Sequence, residues 1–290
     1  MFKGAGVAIV TPFKDEGFDK EAYERLIDFQ IENGTQALIV LGTTGEASTI
    51  SHEEKAEVIS TAVAKTGKRV PIIVGVGSNS TDIAVKNTIQ AEELGADGVL
   101  LVTPYYNKCT NNGLIAHFTK VAKATKLPVI LYNVPGRTAV NIPAEVVASM
   151  SKVENVIGVK EASGNISQIL EIKRLVPEDF MIYSGNDDQV IPIYACGGHG
   201  VISVASNVIP KEMQEMCEAF MNGDMKEALR LQLEYKKFID LLFSEVNPIP
   251  VKAALAEMKY IEDELRLPLT PMEENNRIKL IQEMKRLNIL

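Results

Sequence analysis

The chain is poor in the residues that staple small proteins or hold metals. Its 290 residues include three cysteines, Cys109, Cys196 and Cys217, and three histidines, His52, His117 and His199. The cysteines lie far apart and form no C-x-x-C pair. Neither a disulfide framework nor a zinc knuckle is indicated, and a reducing compartment is expected. The histidines show neither H-x-H nor H-E-x-x-H spacing, so a metal-dependent mechanism has little to work with. No apolar stretch approaches the roughly 20 residues a membrane helix needs. The opening MFKGAGVAIVTPFKDEG holds too short an apolar run for a signal peptide, and a cytoplasmic protein is expected. Positive charge is also short: 30 Lys and Arg stand against 38 Asp and Glu, a net charge of −8. Such a chain carries no general electrostatic footprint for nucleic acid or for anionic membrane. A local pocket for a small anion stays open, because one arginine and a few backbone amides suffice.

What is present is a rhythm. Short apolar, β-branched runs alternate with longer amphipathic segments over the first 205 or so residues. Eight runs read as strands: Gly6–Thr11, Ala37–Leu41, Pro71–Val76, Gly98–Thr103, Val129–Tyr132, Val156–Lys160, Phe180–Ser184 and Gly200–Val204. Each is almost continuously apolar, as a strand buried on both faces should be. Between them, Asp19–Asn33, Ser51–Thr66, Ser80–Leu94, Asn112–Thr125, Pro143–Met150, Ile166–Leu175 and Asp188–Ala195 read as helices. Ser51 and Glu54 make an S-x-x-E capping box, and Pro143 suits a first helical turn. Eight such units predict an α/β fold, a closed (β/α)8 TIM barrel. An open doubly wound sheet is the rival, but Gly75-Val76-Gly77-Ser78-Asn79-Ser80 lacks the third glycine of a nucleotide loop. Lys211–Asn222 reads as the eighth barrel helix. Beyond it, Asp224–Phe243, Pro250–Met258 and Glu273–Leu287 are helix-like with no strand between them. The expected organisation is a catalytic barrel over residues 1–222 and a C-terminal helical appendage over 223–290.

In such barrels the chemistry sits at the C-terminal ends of the strands. Those ends carry Gly42-Thr43-Thr44-Gly45-Glu46, Pro104-Tyr105-Tyr106-Asn107, Tyr132-Asn133-Val134-Pro135-Gly136-Arg137-Thr138, Lys160-Glu161, Ser184-Gly185-Asn186-Asp187 and Ile202-Ser203. Lys160 ends an apolar run, so its amine belongs inside the barrel mouth. Burial without a partner favours the neutral amine over ammonium, and a neutral amine can form a Schiff base with a carbonyl. The alternative is a lysine paired with Glu161 or another carboxylate. Tyr132, one strand away, could relay protons or simply fill an aromatic layer. Thr43 and Thr44 could hold a carboxylate with amides and hydroxyls or only shape a turn. Arg137, after a Pro-Gly turn, could clamp a substrate carboxylate or sit in a surface salt bridge. His117 reads as structural, and His199 falls on the stability face of the barrel.

Together these residues resemble the dihydrodipicolinate synthase family, within the N-acetylneuraminate lyase superfamily. GTTGE (Gly42–Glu46), YNVPGRT (Tyr132–Thr138), GVKE (Gly158–Glu161) and NPIPVK (Asn247–Lys252) match in order and spacing, and the resemblance covers essentially the whole chain. It implies a class I aldolase-type condensation of pyruvate with aspartate 4-semialdehyde, on the route to diaminopimelate and lysine. By that match Lys160 forms the pyruvate imine. Tyr132 shuttles protons in a relay with Thr44 and with Tyr106, the last supplied by a neighbouring subunit. Thr43 and Thr44 hold the pyruvate carboxylate, Arg137 binds the semialdehyde carboxylate, and Gly185 and the Ile202 carbonyl line the pocket. The resemblance implies no metal or organic cofactor, and a homo-oligomer, commonly a tetramer built as a dimer of dimers. One departure stands out. Lysine-inhibited bacterial relatives place a histidine and a glutamate at the positions of Lys55 and Ile83, although His52, Asn79 and Tyr105 remain. Loss of a buried charge partner costs a few kcal/mol, so weak or absent inhibition by lysine is expected. Two other readings are another pyruvate-dependent class I aldolase, of N-acetylneuraminate lyase or keto-deoxy-gluconate aldolase type, and a catalytically silent barrel.

Overall fold

The computed structural model describes all 290 residues. Eight parallel strands, Gly4–Ala8, Ala37–Val40, Ile72–Gly75, Gly98–Val102, Val129–Asn133, Val156–Glu161, Met181–Ser184 and Gly200–Ser203, close into a barrel in chain order. The eighth pairs back onto the first, with Gly4 opposite Gly200 and Val7 opposite Ser203. The crossovers are α1 (Lys20–Glu32), α2 (His52–Thr66), α3 (Thr81–Glu93), α4 (Asn111–Ala122), the short α5 (Pro135–Thr138) with α6 (Ala144–Met150), α7 (Ile166–Leu175), α8 (Val190–Ala195) and α9 (Pro210–Met221). Three further helices follow: α10 (Met225–Leu241), α11 (Ile249–Glu257) and α12 (Glu274–Arg286). The fold is a TIM barrel with C-terminal helices. No helix is long and apolar enough to cross a membrane.

Two apolar layers explain why the strands are apolar throughout. Alternate residues point inward, and an eleven-residue cluster that includes Ala8, Ile39, Ile73, Leu100, Ile130, Tyr132, Tyr183 and Ile202 fills the cylinder. Phe2 plugs its floor. Its ring stacks on Tyr183 at 4.5 Å, and the Tyr183 hydroxyl donates to the Phe2 carbonyl at 2.7 Å. The other strand residues, among them Leu38, Val74, Leu131, Val159 and Val201, join a 67-residue layer beneath the helices. That layer continues without a break into Leu231, Phe238, Val251, Leu255 and Leu280 of the C-terminal helices.

Local detail departs from the sequence reading in four places. A two-stranded hairpin, Phe13–Lys14 with Gly17–Phe18, follows the first strand. Its turn residues Asp15 and Glu16 both take positive φ, as a two-residue hairpin turn demands. Pro143 stands just before α6, with an extended ψ of 155°, and only its carbonyl joins the helix. The Pro-Gly-Arg turn is the short helix α5. The segment expected as one helix over 188–195 divides into a 3-10 turn, Asp187–Gln189, and α8. Pro192 has no N–H to return to Asp188, so the two pieces cannot merge. The Ser51–Glu54 capping box forms as expected, with both bonds at 3.2 Å.

The C-terminal helices are tied to the barrel mouth by a buried ion pair. Lys252 on α11 and Glu46 in the loop after the second strand meet at 2.7 Å, with side chains 0% and 1% exposed. Desolvation pushes the Lys252 ammonium below its usual range, and Glu46 opposes that push. Lys252 also donates to the Thr11 carbonyl at 3.0 Å and lies 4.2 Å from the Phe13 ring centre. The second Glu46 oxygen accepts from the Arg266 amide. Removing one member of such a pair strands the other charge in the interior. Lys252→Met is expected to cost about 3–5 kcal/mol in urea denaturation, and the double variant Glu46→Gln/Lys252→Met to recover much of it. A single-variant loss below about 1 kcal/mol, the range of exposed pairs, would contradict the anchor.

Candidate active site

Strand parity decides what lies in the mouth of the barrel. Lys160 and Glu161 are consecutive, so they face opposite ways. Lys160 pairs in register with Tyr132 on one side and Tyr183 on the other, both members of the interior cluster. It is 5% exposed, and its Nζ sits 4.4 Å from the Tyr132 ring centre. It takes part in no ion pair: the closest acidic residue in sequence, Glu161, is fully occupied behind the barrel wall. The Glu161 oxygens accept from Asn133 Nδ2 at 3.0 Å, the Ser163 amide at 2.8 Å and Gln168 Nε2 at 3.1 Å. The sequence alternative that pairs Lys160 with Glu161 is therefore not what the chain builds.

Above Lys160 the seventh strand is followed by Gly185, whose amide donates to the Glu161 carbonyl at 2.8 Å. A Cβ there would stand 2.6 Å from the Ala162 Cβ and 3.1 Å from Lys160 Cε, so the position leaves room for the lysine stem only as glycine. Ile202 is fully buried in the interior cluster on the eighth strand. Asp187 is the buried acid that feels Lys160. One oxygen accepts from the amides of Val204 and Ala205 at 3.0 and 2.9 Å, and the other has no partner. Burial pushes its carboxyl up, with the amides and the Lys160 charge pulling back.

The loop after the second strand folds as tight turns, with Gly45 N to the Gly42 carbonyl at 3.1 Å and Glu46 N to the Thr43 carbonyl at 3.2 Å. The amides of Thr43 and Thr44 donate to no protein acceptor, which leaves them free to receive an anion. Thr44 is 2% exposed and its hydroxyl accepts from Asn247 Nδ2 at 3.0 Å. Arg137, on α5, has no carboxylate partner. Its Nη2 donates to the Asn247 carbonyl at 3.0 Å. Thr43 and Arg137 border a cavity of about 380 Å³ that is also lined by Tyr132, Val134, Lys55, Ile83 and Asn87. The Tyr132 phenol, Thr43 and the unpaired Arg137 guanidinium thus border one opening, and the Lys160 amine lies 4.4 Å from the centre of that Tyr132 ring, a set suited to carbonyl addition on an anionic substrate.

Tyr106 is not brought in. It is 92% exposed, with φ +73°, on the loop after the fourth strand. His117 bonds Thr81 at 2.9 Å on the helical shell, and His199 accepts from the Ile182 amide at the opposite end of the barrel. Sequence reasoning gave no role to Asp187 or Asn247. Both were visible as polar residues, one at a strand end and one before a proline, but nothing in one dimension says that either turns inward.

Comparison with known proteins supplies a context for this geometry. The model of the dihydrodipicolinate synthetase family matches residues 1–287. The chain is 72% identical, over 290 residues and the full length of both, to a 4-hydroxy-tetrahydrodipicolinate synthase of Alkaliphilus oremlandii. It is similar to the crystal structure of dihydrodipicolinate synthase from Thermotoga maritima, with TM-score 0.99 and 46% identity over all of both chains. It is also similar to the lysine-bound enzyme of Cyanidioschyzon merolae, with TM-score 0.97 and 40% identity, covering 100% of this chain and 99% of that one.

The steric claim about Gly185 can be checked without an assay. Gly185→Ala is expected to destabilise the chain by about 1–3 kcal/mol in chemical denaturation, the cost of overpacking. Gly136→Ala, where a Cβ meets nothing within 4 Å, serves as the control and should stay within about 0.5 kcal/mol. Equal effects at the two sites would contradict the packing described.

Proposed function

The chain belongs to the dihydrodipicolinate synthetase family of class I, Schiff-base lyases, and we propose that Lys160 is the amine on which it condenses pyruvate with L-aspartate 4-semialdehyde. The observation that carries this assignment is a buried lysine with no ion-pair partner, held against a phenol at 4.4 Å. The Lys160 amine adds, once deprotonated, to the pyruvate ketone, and protonation of the carbinolamine hydroxyl with loss of water leaves an iminium. The iminium withdraws electrons, the methyl group gives up a proton, and the resulting enamine attacks the aldehyde. The amino group of the condensed chain then displaces Lys160 by transimination, closing the ring and freeing the amine.

The other roles follow from position. The free amides of Thr43 and Thr44 receive the pyruvate carboxylate. Tyr132 and Thr44 carry protons to and from the reacting oxygen. Gly185 and the Ile202 carbonyl bound the pocket beside the lysine, and Arg137, unpaired at the cavity edge, takes the semialdehyde carboxylate. Tyr106 stands almost wholly in solvent on its own chain, which supports delivery of its hydroxyl into the site of a second copy. On this reading the chain works as a homo-oligomer, a tetramer arranged as a dimer of dimers, in the cytoplasm. Residues 1–222 form the catalytic barrel and 223–290 the helical unit that braces its mouth.

Two further cavity residues, Lys55 and Ile83, bear on regulation. Lys55 is half-buried there without an ion-pair partner, and desolvation pushes its ammonium below the usual range. Beside it Ile83 offers only an alkyl group. A lysine effector would bring a second cation to an existing one, with no carboxylate to receive it. The enzyme is therefore expected to be weakly inhibited by lysine or not at all.

The function is tested by assaying pyruvate with aspartate semialdehyde, alongside cleavage of N-acetylneuraminate and keto-deoxy-gluconate. Condensation should far exceed either cleavage, and the reverse order would overturn the assignment. Arg137→Ala should lower kcat/KM for the semialdehyde by about a hundredfold, the worth of a lost charge-assisted clamp, and change the pyruvate KM by no more than about threefold. In the same assay millimolar lysine should leave the rate nearly unchanged. Half-inhibition at micromolar lysine would contradict the account of Lys55 and Ile83.

A further inference from the structure

Asn247 touches two of the groups assigned above without itself lining the cavity. It is 6% exposed and sits between α10 and α11. Its side-chain Nδ2 donates to Thr44 Oγ1 at 3.0 Å, and its backbone carbonyl accepts from Arg137 Nη2 at 3.0 Å. We infer that Asn247 is a positioning residue whose amide sets the direction in which the Thr44 hydroxyl gives its proton, while its carbonyl holds Arg137 in place. The inference rests on the reading that Thr44 and Arg137 act on the substrates.

A threonine hydroxyl has one proton and two lone pairs. With Nδ2 donating to it, one lone pair is occupied and the proton remains uncommitted, since Thr44 Oγ1 makes no other bond within the chain. The proton can therefore go to a substrate oxygen or to the Tyr132 hydroxyl oxygen. Were the contact reversed, with the Asn247 Oδ1 accepting, the Thr44 proton would be consumed and the relay would run the wrong way. The amide takes the donating orientation although its own Oδ1 is then buried with no donor. The surrounding segment is anchored as well: five residues on, Lys252 grips Glu46, two residues beyond Thr44 in the same loop. Both ends of Asn247–Lys252 thus grip the turn that brings Gly42 and Thr43 to the cavity. Asn247 sets the distance between the threonine and the arginine, and so between the two carboxylates they receive.

Asn247→Asp provides the discriminating test, because a carboxylate is close in shape but can only accept. Its kcat relative to wild type should be reduced at least about tenfold near pH 8. The ratio should recover as the pH falls toward about 5, where a protonated carboxyl can again donate to Thr44. Asn247→Ala keeps the backbone carbonyl. It should lower kcat by a similar factor at every pH and leave the semialdehyde KM within about threefold. In a Thr44→Val background, Asn247→Ala should cost no further kcat. A pH-independent ratio for Asn247→Asp, or fully additive losses in the Thr44→Val background, would overturn the inference. If Asn247→Asp does not fold, the additivity of Asn247→Ala with Thr44→Val decides alone. Absence of condensation activity in the wild-type chain would instead overturn the functional reading beneath it.

Discussion

The two-residue period of the sixth strand governs the rest of the site. Because Lys160 faces the cylinder, Glu161 must face the helices, where Asn133, Ser163 and Gln168 satisfy it. A register slip of one residue would bury the acid inside the barrel and put the amine behind it. The polar network outside the wall is therefore part of what keeps the lysine free inside it. Tyr132 and Tyr183, in register on the flanking strands, supply the apolar walls. The same parity explains Gly185: a side chain above Lys160 would displace the stem that carries the amine.

A second constraint acts from outside the barrel. The loop that carries Thr43 and Thr44 has few bonds of its own, and it is held by a segment some 200 residues later: |i−j| is 203 for Thr44 with Asn247 and 206 for Glu46 with Lys252. The pair at Glu46 is buried, with Lys252 Nζ bonded to Glu46 and the Thr11 carbonyl beside the Phe13 ring, and because losing either partner strands the other charge the pair fixes where the loop sits. Asn247 adds the link to Arg137. The C-terminal helices thus hold the loop and the arginine that the proposed chemistry uses, although they contribute no strand to the barrel.

How much of this was legible in the sequence depended on the range of the interaction. All eight strands were readable, since burial on both faces leaves runs such as VILY and GVLLV with no polar interruption. The capping box at Ser51 and Glu54 was readable because it is local. Pro143 and Pro192 show where local reading fell short. A proline fits the start of a helix in two neighbouring positions, and inside a helical pattern its effect depends on which carbonyl loses its partner. The hairpin at Asp15 and Glu16 needs two non-glycine residues at positive φ, for which the sequence carries no strong sign. Within the site, Lys160, Tyr132, Arg137 and the threonines stood out because polar residues at the ends of apolar runs are conspicuous. Glu46, Asn247 and Lys252 were visible only as members of the GTTGE and NPIPVK motifs, and their contacts were not, because only tertiary structure brings residues so distant together. Tyr106, exposed on its own chain, cannot be placed in a site by one chain's fold.

The central claim is that Lys160 Nζ is a free nucleophile toward a ketone. Incubation with pyruvate and borohydride, followed by proteolysis and mass spectrometry, tests it most directly. The account predicts a reduced pyruvyl adduct on the peptide containing Lys160 and on no other lysine, including the buried Lys252. An unmodified Lys160, or an adduct distributed over surface lysines, would contradict it.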